Sequence, residues 1–578
     1  MKPNQLERFL RERTQLEVFC KEDNGSIVLE GKALSWDQVV AAGKLAAGKG
    51  YRGVVNKIEY VSAPSLKPSL PKVQDSKLQG HHVDVLIIGA GVVGSAIARE
   101  LSKWNLKIML IDKESDVALH QSSRNAGVAH PPIAPKPGSL KALYNRRGLE
   151  LLPHLSKELD FPFKQIGMTI LVPHRLYKIG LPIIFSRMKQ NGVNQFKVLS
   201  GDNIRSVEPF VTDKAAWAIF LPEGGILDPF NMTLAFAENA VENGAEVSLE
   251  TAALSINMEH GSIVSVTTNR GTVYPRVVVN AAGIWSDLIA EMAGDMFFTI
   301  HPRKGETVIL DKKKGKFART CLSMPSLAQT SSDTKGGGLI PTVDGNILLG
   351  PNAHEVPERE DYSTSTTGIE EVLNKQMGLI KGLSPSDVIT YFAGTRAATY
   401  EEDFIVERSK RVQNLVHVAG IQSPGITAAP AIAEDVASMC LEILASQIDI
   451  KPNPKFSPMR RSFDFKGLTL EEKQKVIREN PDYGVVICRC EGVTKGEIEA
   501  LFSSPIPPTT LDGIKRRSRA GMGRCQGGFC TPFVLEIMKE KLNLPPTEIT
   551  KKGGKSFVVS EYTRVLMEGG KNEHSHDK

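Results

Sequence analysis

Three glycines constrain this chain more than any other feature. Gly89, Gly91 and Gly94 stand in VDVLIIGAGVVGSAIARELSKW, which begins at Val83. Residues 83–88 read as a buried strand, and Val92, Val93, Ile97 and Leu101 mark one face of a helix. In that order the first glycine makes a tight turn. The second lets backbone approach a pyrophosphate, the third lets helix pack close to strand, and the helix N-terminus attracts the phosphate charge. A second strand pattern, LKIMLID, ends in Asp112, whose carboxylate is placed to accept hydrogen bonds from a ribose. The fold class is therefore α/β with a dinucleotide site. The pattern alone does not separate NAD from FAD.

At 578 residues the chain exceeds one ordinary core, and length alone suggests about three or four domains. A net charge of +6 is small for that length and does not argue for a nucleic-acid binder, which would show a concentrated basic face, so nucleic acid is not an expected partner. The start, MKPNQLERFLRERTQLEV, lacks the apolar run of a secretory signal. No stretch approaches the roughly 18 consecutive apolar residues of a spanning helix. A cytoplasmic enzyme is expected, with peripheral association at a membrane left open.

Composition divides the chain into blocks. Residues 1–61 hold SIVLEGKALSWDQVVAAGKLAAGKGYRGVVNKIEY: a strand, a turn, an Ala-rich amphipathic helix opened at Ser35, and a Val/Ile strand. Residues 62–82, rich in Pro, Ser and Lys, read as a linker. Residues 83–444 alternate strand and helix patterns and form the main body. Residues 445–482, with KPNPKFSPMRRS, read as a second linker. Residues 483–545 carry grouped cysteines, and 546–578 form a polar tail. The first block resembles a BON domain through VLEGKALSW and GVVNKI, with an ordinary αβ accessory domain as the alternative.

After the glycines comes HQSSRNAGVAH at residues 120–130, followed in order by KPGSLKALYNRRG, VVVNAAGIWSD, HPRKGE, PTVDGNILLGPNA, FAGTRA and HVAGIQSPGITAAPAIAE. This series resembles the FAD-dependent oxidoreductases of the D-amino-acid oxidase and glycerol-3-phosphate dehydrogenase superfamily, across nearly all of residues 83–444. The resemblance implies a Rossmann-like FAD-binding domain with an interleaved α+β substrate domain. It implies cofactor contacts from Lys113, Ser123, Arg124, Asn125, Ala282, Gly283, Gly420, Ser423, Gly425, Ile426 and Thr427, beside Gly89, Gly91, Gly94 and Asp112. The helix opened at Gly425 would point its N-terminus at the flavin C2 carbonyl, where negative charge develops on reduction.

The resemblance also supplies candidate catalytic residues. His130 would take the proton from a substrate hydroxyl, a role that suits imidazole near neutral pH. Arg396 would grip a substrate anion, as a planar guanidinium can. Lys304 would stand on the substrate side. There is one departure. Glycerol-3-phosphate relatives often read Asn-Ser where this chain reads Asn125-Ala126, so a hydroxyl that could serve a phosphate is missing.

Cysteine usage points to a second redox centre. Of seven cysteines, Cys20, Cys321 and Cys440 are scattered. Cys488, Cys490, Cys525 and Cys530 form C-x-C and C-x4-C groups in a Gly- and Arg-rich context. In a reducing compartment this reads first as a metal or cluster site. Zinc is the alternative, although zinc pairs usually take the spacing C-x2-4-C. CRCEGVTKGEIEA and GIKRRSRAGMGRCQGGFC resemble the bacterioferritin-associated ferredoxin-like module, which implies a [2Fe-2S] cluster on these four thiolates. A flavin takes two electrons and such a cluster one at a time, so the pairing points to a dehydrogenase that feeds a partner.

The expected activity is oxidation of glycerol 3-phosphate, a small anionic alcohol, to dihydroxyacetone phosphate. Electrons would pass from FAD to the cluster and on to an acceptor protein or quinone-linked subunit. The alternatives are an L-2-hydroxy acid dehydrogenase, an amino- or imino-acid dehydrogenase, and a non-catalytic redox sensor. The N-terminal block is expected to dock a partner subunit or membrane complex, so that removing residues 1–61 would spare flavin reduction.

Overall fold

The computed structural model describes residues 1–62, 67–174, 180–324 and 337–561. The chain forms two compact units. One holds Met1–Lys113 with Val117–Arg461, and the other holds Glu114–Asp116 with Ser462–Lys578.

The N-terminal block belongs to the first unit. It runs α1 (Pro3–Thr14), β1 (Val18–Asp23), β2 (Ser26–Ala33), α2 (Trp36–Ala46) and β3 (Val54–Tyr60). The sheet order is β1-β2-β3, with β1 antiparallel and β3 parallel to β2. Ser35 caps α2 by accepting from the Gln38 N–H at 3.3 Å. Leu6 and Leu10 of α1 and Val39, Val40 and Ala42 of α2 close on Ile27, Leu29 and Val54 of the sheet. One residue from outside the block, Tyr400, completes this core.

The dinucleotide motif folds as β4 (His81–Ile88), α3 (Val92–Leu101) and β5 (Ile108–Ile111). β4 lies between β5 and the strand Gly271–Asn280, parallel to both, and the strand Leu415–Ala419 runs parallel to the latter. The carboxyl ends of these strands therefore deliver Gly89, Asp112, Ala281 and Gly420 to one edge. A switch in strand connection at such an edge leaves a crevice. Apolar runs buried on both faces suit these central strands, and Val85, Leu86, Ile87, Val277, Val278 and Val279 are fully enclosed.

A second sheet of nine strands is interleaved with the first. Its long members are Ile300–Leu310 and Val388–Thr399, paired antiparallel with Arg303 opposite Arg396. α4 (Leu140–Glu158) crosses the Ala-rich helix Gly425–Leu444. A Cβ at Gly148 would stand 1.9 Å from the Thr427 carbonyl, so glycine permits the crossing.

The stretches read as linkers carry structure. Leu78 is buried with the main sheet, and Asp75 pairs with Arg270 at 2.7 Å. Residues 63–66 lie outside the described residues. Within 445–482, Arg460 pairs with Glu238 at 2.6 Å, and Leu470–Glu479 is a helix with Thr469 and Glu472 as its capping box.

The second unit packs a short hairpin (Val486–Cys488 with Val493–Thr494) and the helices Lys495–Ala500, Leu511–Ser518 and Thr531–Leu542 around Val493, Ile498, Ile514, Ile537 and Met538. Part of the stretch read as a tail belongs here. Ile549 is buried in this core, and Thr550 accepts from the Leu511 N–H. Residues 562–578 lie outside the described residues.

Candidate active site

The crevice is shaped by glycines that no other residue could replace without displacing backbone. Gly89 has φ +112°, and a Cβ there would meet the Ala281 carbonyl at 2.4 Å. A Cβ at Gly94 would lie 1.9 Å from the Gly89 carbonyl. The first helical N–H, of Val92, donates to Ser122 Oγ at 2.9 Å, and Asp112 Oδ2 accepts from the Ala90 N–H at 2.7 Å. The carboxylate expected at a ribose thus also braces the turn. Lys113 pairs with Glu360 at 2.8 Å.

The loop of residues 120–130 is held from several directions. Asn125 Nδ2 donates to the Gln121 and Ser122 carbonyls, and its Oδ1 accepts from the Gly127 N–H at 2.9 Å. Ser123 sits in this turn, its N–H reaching the His120 carbonyl. Arg124 donates to the Leu119 and Ala393 carbonyls, and its guanidinium lies 4.2 Å from the Tyr362 ring centre. Gln121 was not among the residues singled out from sequence. It donates to the Ile421 carbonyl and accepts from the Ala397 N–H, tying this loop to the two segments that carry Gly420 and Arg396. Ser122 was also missed. The signal for both is a polar pair beside a glycine turn, with partners far away in sequence.

Ala282 and Gly283 follow the strand Gly271–Asn280, and Gly420 and Ser423 through Thr427 follow the strand Leu415–Ala419, at the same sheet edge. Gly283 and Gly420 have φ of +55° and +67°. Gly425 opens the helix Gly425–Leu444, with Ile426 and Thr427 in its first turn, so the positive end of the helix dipole faces the crevice edge. Thr427 Oγ1 accepts from the His130 N–H at 3.1 Å, which fixes His130 against that turn. Close-approach glycines, a helix N-terminus and an acidic strand end together fit a flavin dinucleotide.

The basic residues have unequal surroundings. Arg303 is buried and donates to Glu355 at 2.9 Å, Glu402 at 2.5 Å and Gln422 at 3.2 Å. Burial disfavours its charge, but Glu402 and then Glu355 hold it above the usual arginine range. Lys304 Nζ donates to Asp361 at 2.7 Å and Ser363 at 3.0 Å. Its charge is thus compensated by Asp361 in this structure. Arg396 donates to the Asn352 carbonyl at 3.0 Å, and among the described residues no carboxylate pairs with it. Although its side chain is partly open, burial first and the Arg303 charge second lower it to about 10. A bound anion would relieve both effects.

In the second unit the four cysteines converge. Cys490 Sγ lies 3.6 Å from Cys525 Sγ, and Cys488 Sγ accepts from the Gly521 N–H at 3.5 Å. Burial and then Cys488 raise the Cys530 thiol. Burial also works against the Cys525 thiolate, but backbone N–H groups of Phe529, Gly527 and Gly528 hold it below the usual range. A Cβ at Gly523 would stand 2.3 Å from Cys490 Cβ. Four sulfurs, with backbone N–H groups aimed at two of them, fit a [2Fe-2S] cluster.

Comparison with known proteins finds a match within each unit. Residues 84–439 match the family described as FAD dependent oxidoreductase, and 486–540 match the BFD-like [2Fe-2S] binding domain. A glycerol 3-phosphate dehydrogenase of Caloramator mitchellensis is 37% identical over 482 residues, 83% of this chain and 99% of that protein. A mitochondrial L-2-hydroxyglutarate dehydrogenase of Caenorhabditis elegans is 28% identical, over 67% of this chain and 98% of its own. The structure of dithionite-reduced L-alpha-glycerophosphate oxidase from Mycoplasma pneumoniae with FAD bound superposes with a TM-score of 0.61 at 26% identity, over 66% of this chain and 100% of that one. The chain belongs to the FAD-dependent oxidoreductase family and carries a C-terminal [2Fe-2S] domain.

Proposed function

We propose that this FAD-dependent oxidoreductase oxidises glycerol 3-phosphate to dihydroxyacetone phosphate and sends the electrons through its [2Fe-2S] domain to an acceptor protein or quinone-linked subunit. The observation that carries this reading is Arg396, a deeply set guanidinium without a carboxylate partner among the described residues. The Caloramator relative, aligned over nearly its whole length, carries that activity in its name.

In this reading Arg396 binds the phosphate in a charge-assisted, two-pronged contact. His130 receives the proton of the C2 hydroxyl, its backbone anchored to Thr427. FAD held here would supply the hydride acceptor, and a [2Fe-2S] cluster held in the second unit would supply one-electron chemistry. Gly89, Gly91, Gly94 and Asp112 hold the adenosine and pyrophosphate end. Ser123, Arg124, Asn125, Ala282, Gly283, Gly420, Ser423, Gly425, Ile426 and Thr427 surround the flavin. Lys304 contacts substrate only by leaving Asp361, so its part is secondary. Cys488, Cys490, Cys525 and Cys530 bind the cluster. We read the N-terminal domain as BON-like and the enzyme as cytoplasmic, with peripheral membrane association open. Among the described residues no helix is long and apolar enough to cross a membrane.

Ala126 favours a second reading, an L-2-hydroxy acid dehydrogenase, because the residue beside Asn125 brings no hydroxyl for a phosphate. The test is anaerobic flavin bleaching with glycerol 3-phosphate, L-2-hydroxyglutarate and L-proline on separate samples. Bleaching by glycerol 3-phosphate at low excess supports the first reading. Bleaching by only one of the others transfers the site to that substrate. Bleaching by dithionite alone leaves a redox sensor.

A further inference from the structure

The N-terminal domain lies outside both matched spans, yet it reaches the strands that carry the anion-binding residues. Lys44 of α2 donates to Glu355 at 3.1 Å. The same carboxylate accepts from Arg303 at 2.9 Å and bonds His301 Nδ1 at 2.7 Å. Arg303 then extends to Glu402 and to Gln422, three residues before the helix that opens at Gly425. Arg303 sits in register opposite Arg396.

A second link runs along the Arg396 strand itself. Four residues beyond Arg396, Tyr400 enters the hydrophobic core of the N-terminal domain. Its ring stacks on His301 at 4.6 Å between centres, and its hydroxyl accepts from Asn56 Nδ2 at 3.0 Å. Gly43 leaves the space for that ring, since a Cβ there would lie 2.2 Å from it. Asn56 and Val54 of β3 also exchange hydrogen bonds with Thr299, immediately before the strand Ile300–Leu310. Both strands are thus rooted in the N-terminal domain.

We propose that the N-terminal domain is a positioning element of the substrate-anion site, acting on Arg303 through Lys44 and Glu355 and on Arg396 through Tyr400. This rests on the reading of Arg396 as the anion contact, and it adds to the expectation that the domain docks a partner subunit or membrane complex. Removing Lys44 takes one positive charge from the cluster around Glu355, which keeps Arg303 and His301 as partners beside Arg396. The net negative charge of Glu355 is then less compensated, so it competes more strongly with the substrate anion for the field of Arg396.

The test uses full-length, flavin-loaded enzyme with Lys44→Ala, Lys44→Arg and Tyr400→Phe. For Lys44→Ala, the glycerol 3-phosphate concentration that half-saturates anaerobic flavin reduction rises about three- to tenfold, with the limiting rate within about twofold. Lys44→Arg restores the wild-type value. Tyr400→Phe, which loses the Asn56 bond, shifts half-saturation in the same direction. Glycerol, the uncharged comparator, shows no shift. A readout without turnover is the perturbation of the flavin spectrum by inorganic phosphate, whose half-saturation moves with that of the substrate. Unchanged half-saturation for both anions in Lys44→Ala, or an equal shift for glycerol, overturns the proposal. A wild type perturbed by phosphate but not bleached by glycerol 3-phosphate overturns the substrate reading alone. A wild type that responds to neither overturns both.

Discussion

The strands Ile300–Leu310 and Val388–Thr399 each place an arginine at the same level, and the two guanidinium groups have opposite fates. Arg303 is enclosed by Glu355, Glu402 and Gln422, whereas Arg396 reaches a backbone carbonyl. One charge is neutralised by carboxylates inside the protein, and among the described residues the other pairs with none. Residue type therefore does not assign function here. What distinguishes the two arginines is whether a carboxylate is within reach: Glu355 and Glu402 of the main body reach Arg303, and Lys44 of the N-terminal domain holds Glu355 in turn.

The largest effect that would sharpen this contrast is expected at Arg303. Arg303→Gln leaves Glu355 and Glu402 without their shared cation, at a cost of about 3–5 kcal/mol. Denaturant unfolding checks this, and a stability near wild type would make Arg303 a ligand contact instead. Next comes Arg396→Ala. It should raise half-saturation for the anionic substrate about 100-fold at a smaller stability cost than Arg303→Gln, because only the Asn352 carbonyl and no carboxylate is orphaned. Stopped-flow reduction beside a melting curve reads both quantities.

A smaller effect concerns Glu401, next to Glu402. Burial raises its carboxyl from the ordinary 4.5 to about 7, and Oε1 is buried without a hydrogen bond. A folded pKa above the unfolded one gives stability that is complete below about 4.5 and lost as pH rises through about 7. Glu401→Gln should therefore raise the melting temperature by about 2–4 °C at pH 8 and change little at pH 5. A shift of equal size at both pH values would show that ionisation is not the cause.

How much of this was legible in the sequence followed the range of the interactions. Gly89, Gly94 and Asp112 were readable because strand, turn and helix lie within a few tens of residues and each has a local signature. The four cysteines were readable for the same reason. Arg396 was visible only through resemblance, since nothing near FAGTRA reveals that it lacks a carboxylate. The Lys304–Asp361 pair, the Arg303 hub and the Gln121 tie were hidden because their partners stand tens to hundreds of residues away. The order of elements in the N-terminal domain was legible in part. The entry of Tyr400 into its core was not, because it depends on the space left at Gly43. The helix Leu470–Glu479 escaped notice in a supposed linker because it is short and polar, with Leu470, Val476 and Ile477 as its apolar residues and no side chain fully buried, although Thr469 and Glu472 mark its start.

The most direct measurement is anaerobic flavin reduction of the wild-type enzyme by glycerol 3-phosphate and by glycerol, compared through their half-saturating concentrations. An uncompensated Arg396 should favour the phosphate ester by about 100-fold or more, in line with a charge-assisted contact. Similar half-saturation for the two alcohols would mean that no open cation serves the substrate, and the distinction between the two arginines would fall.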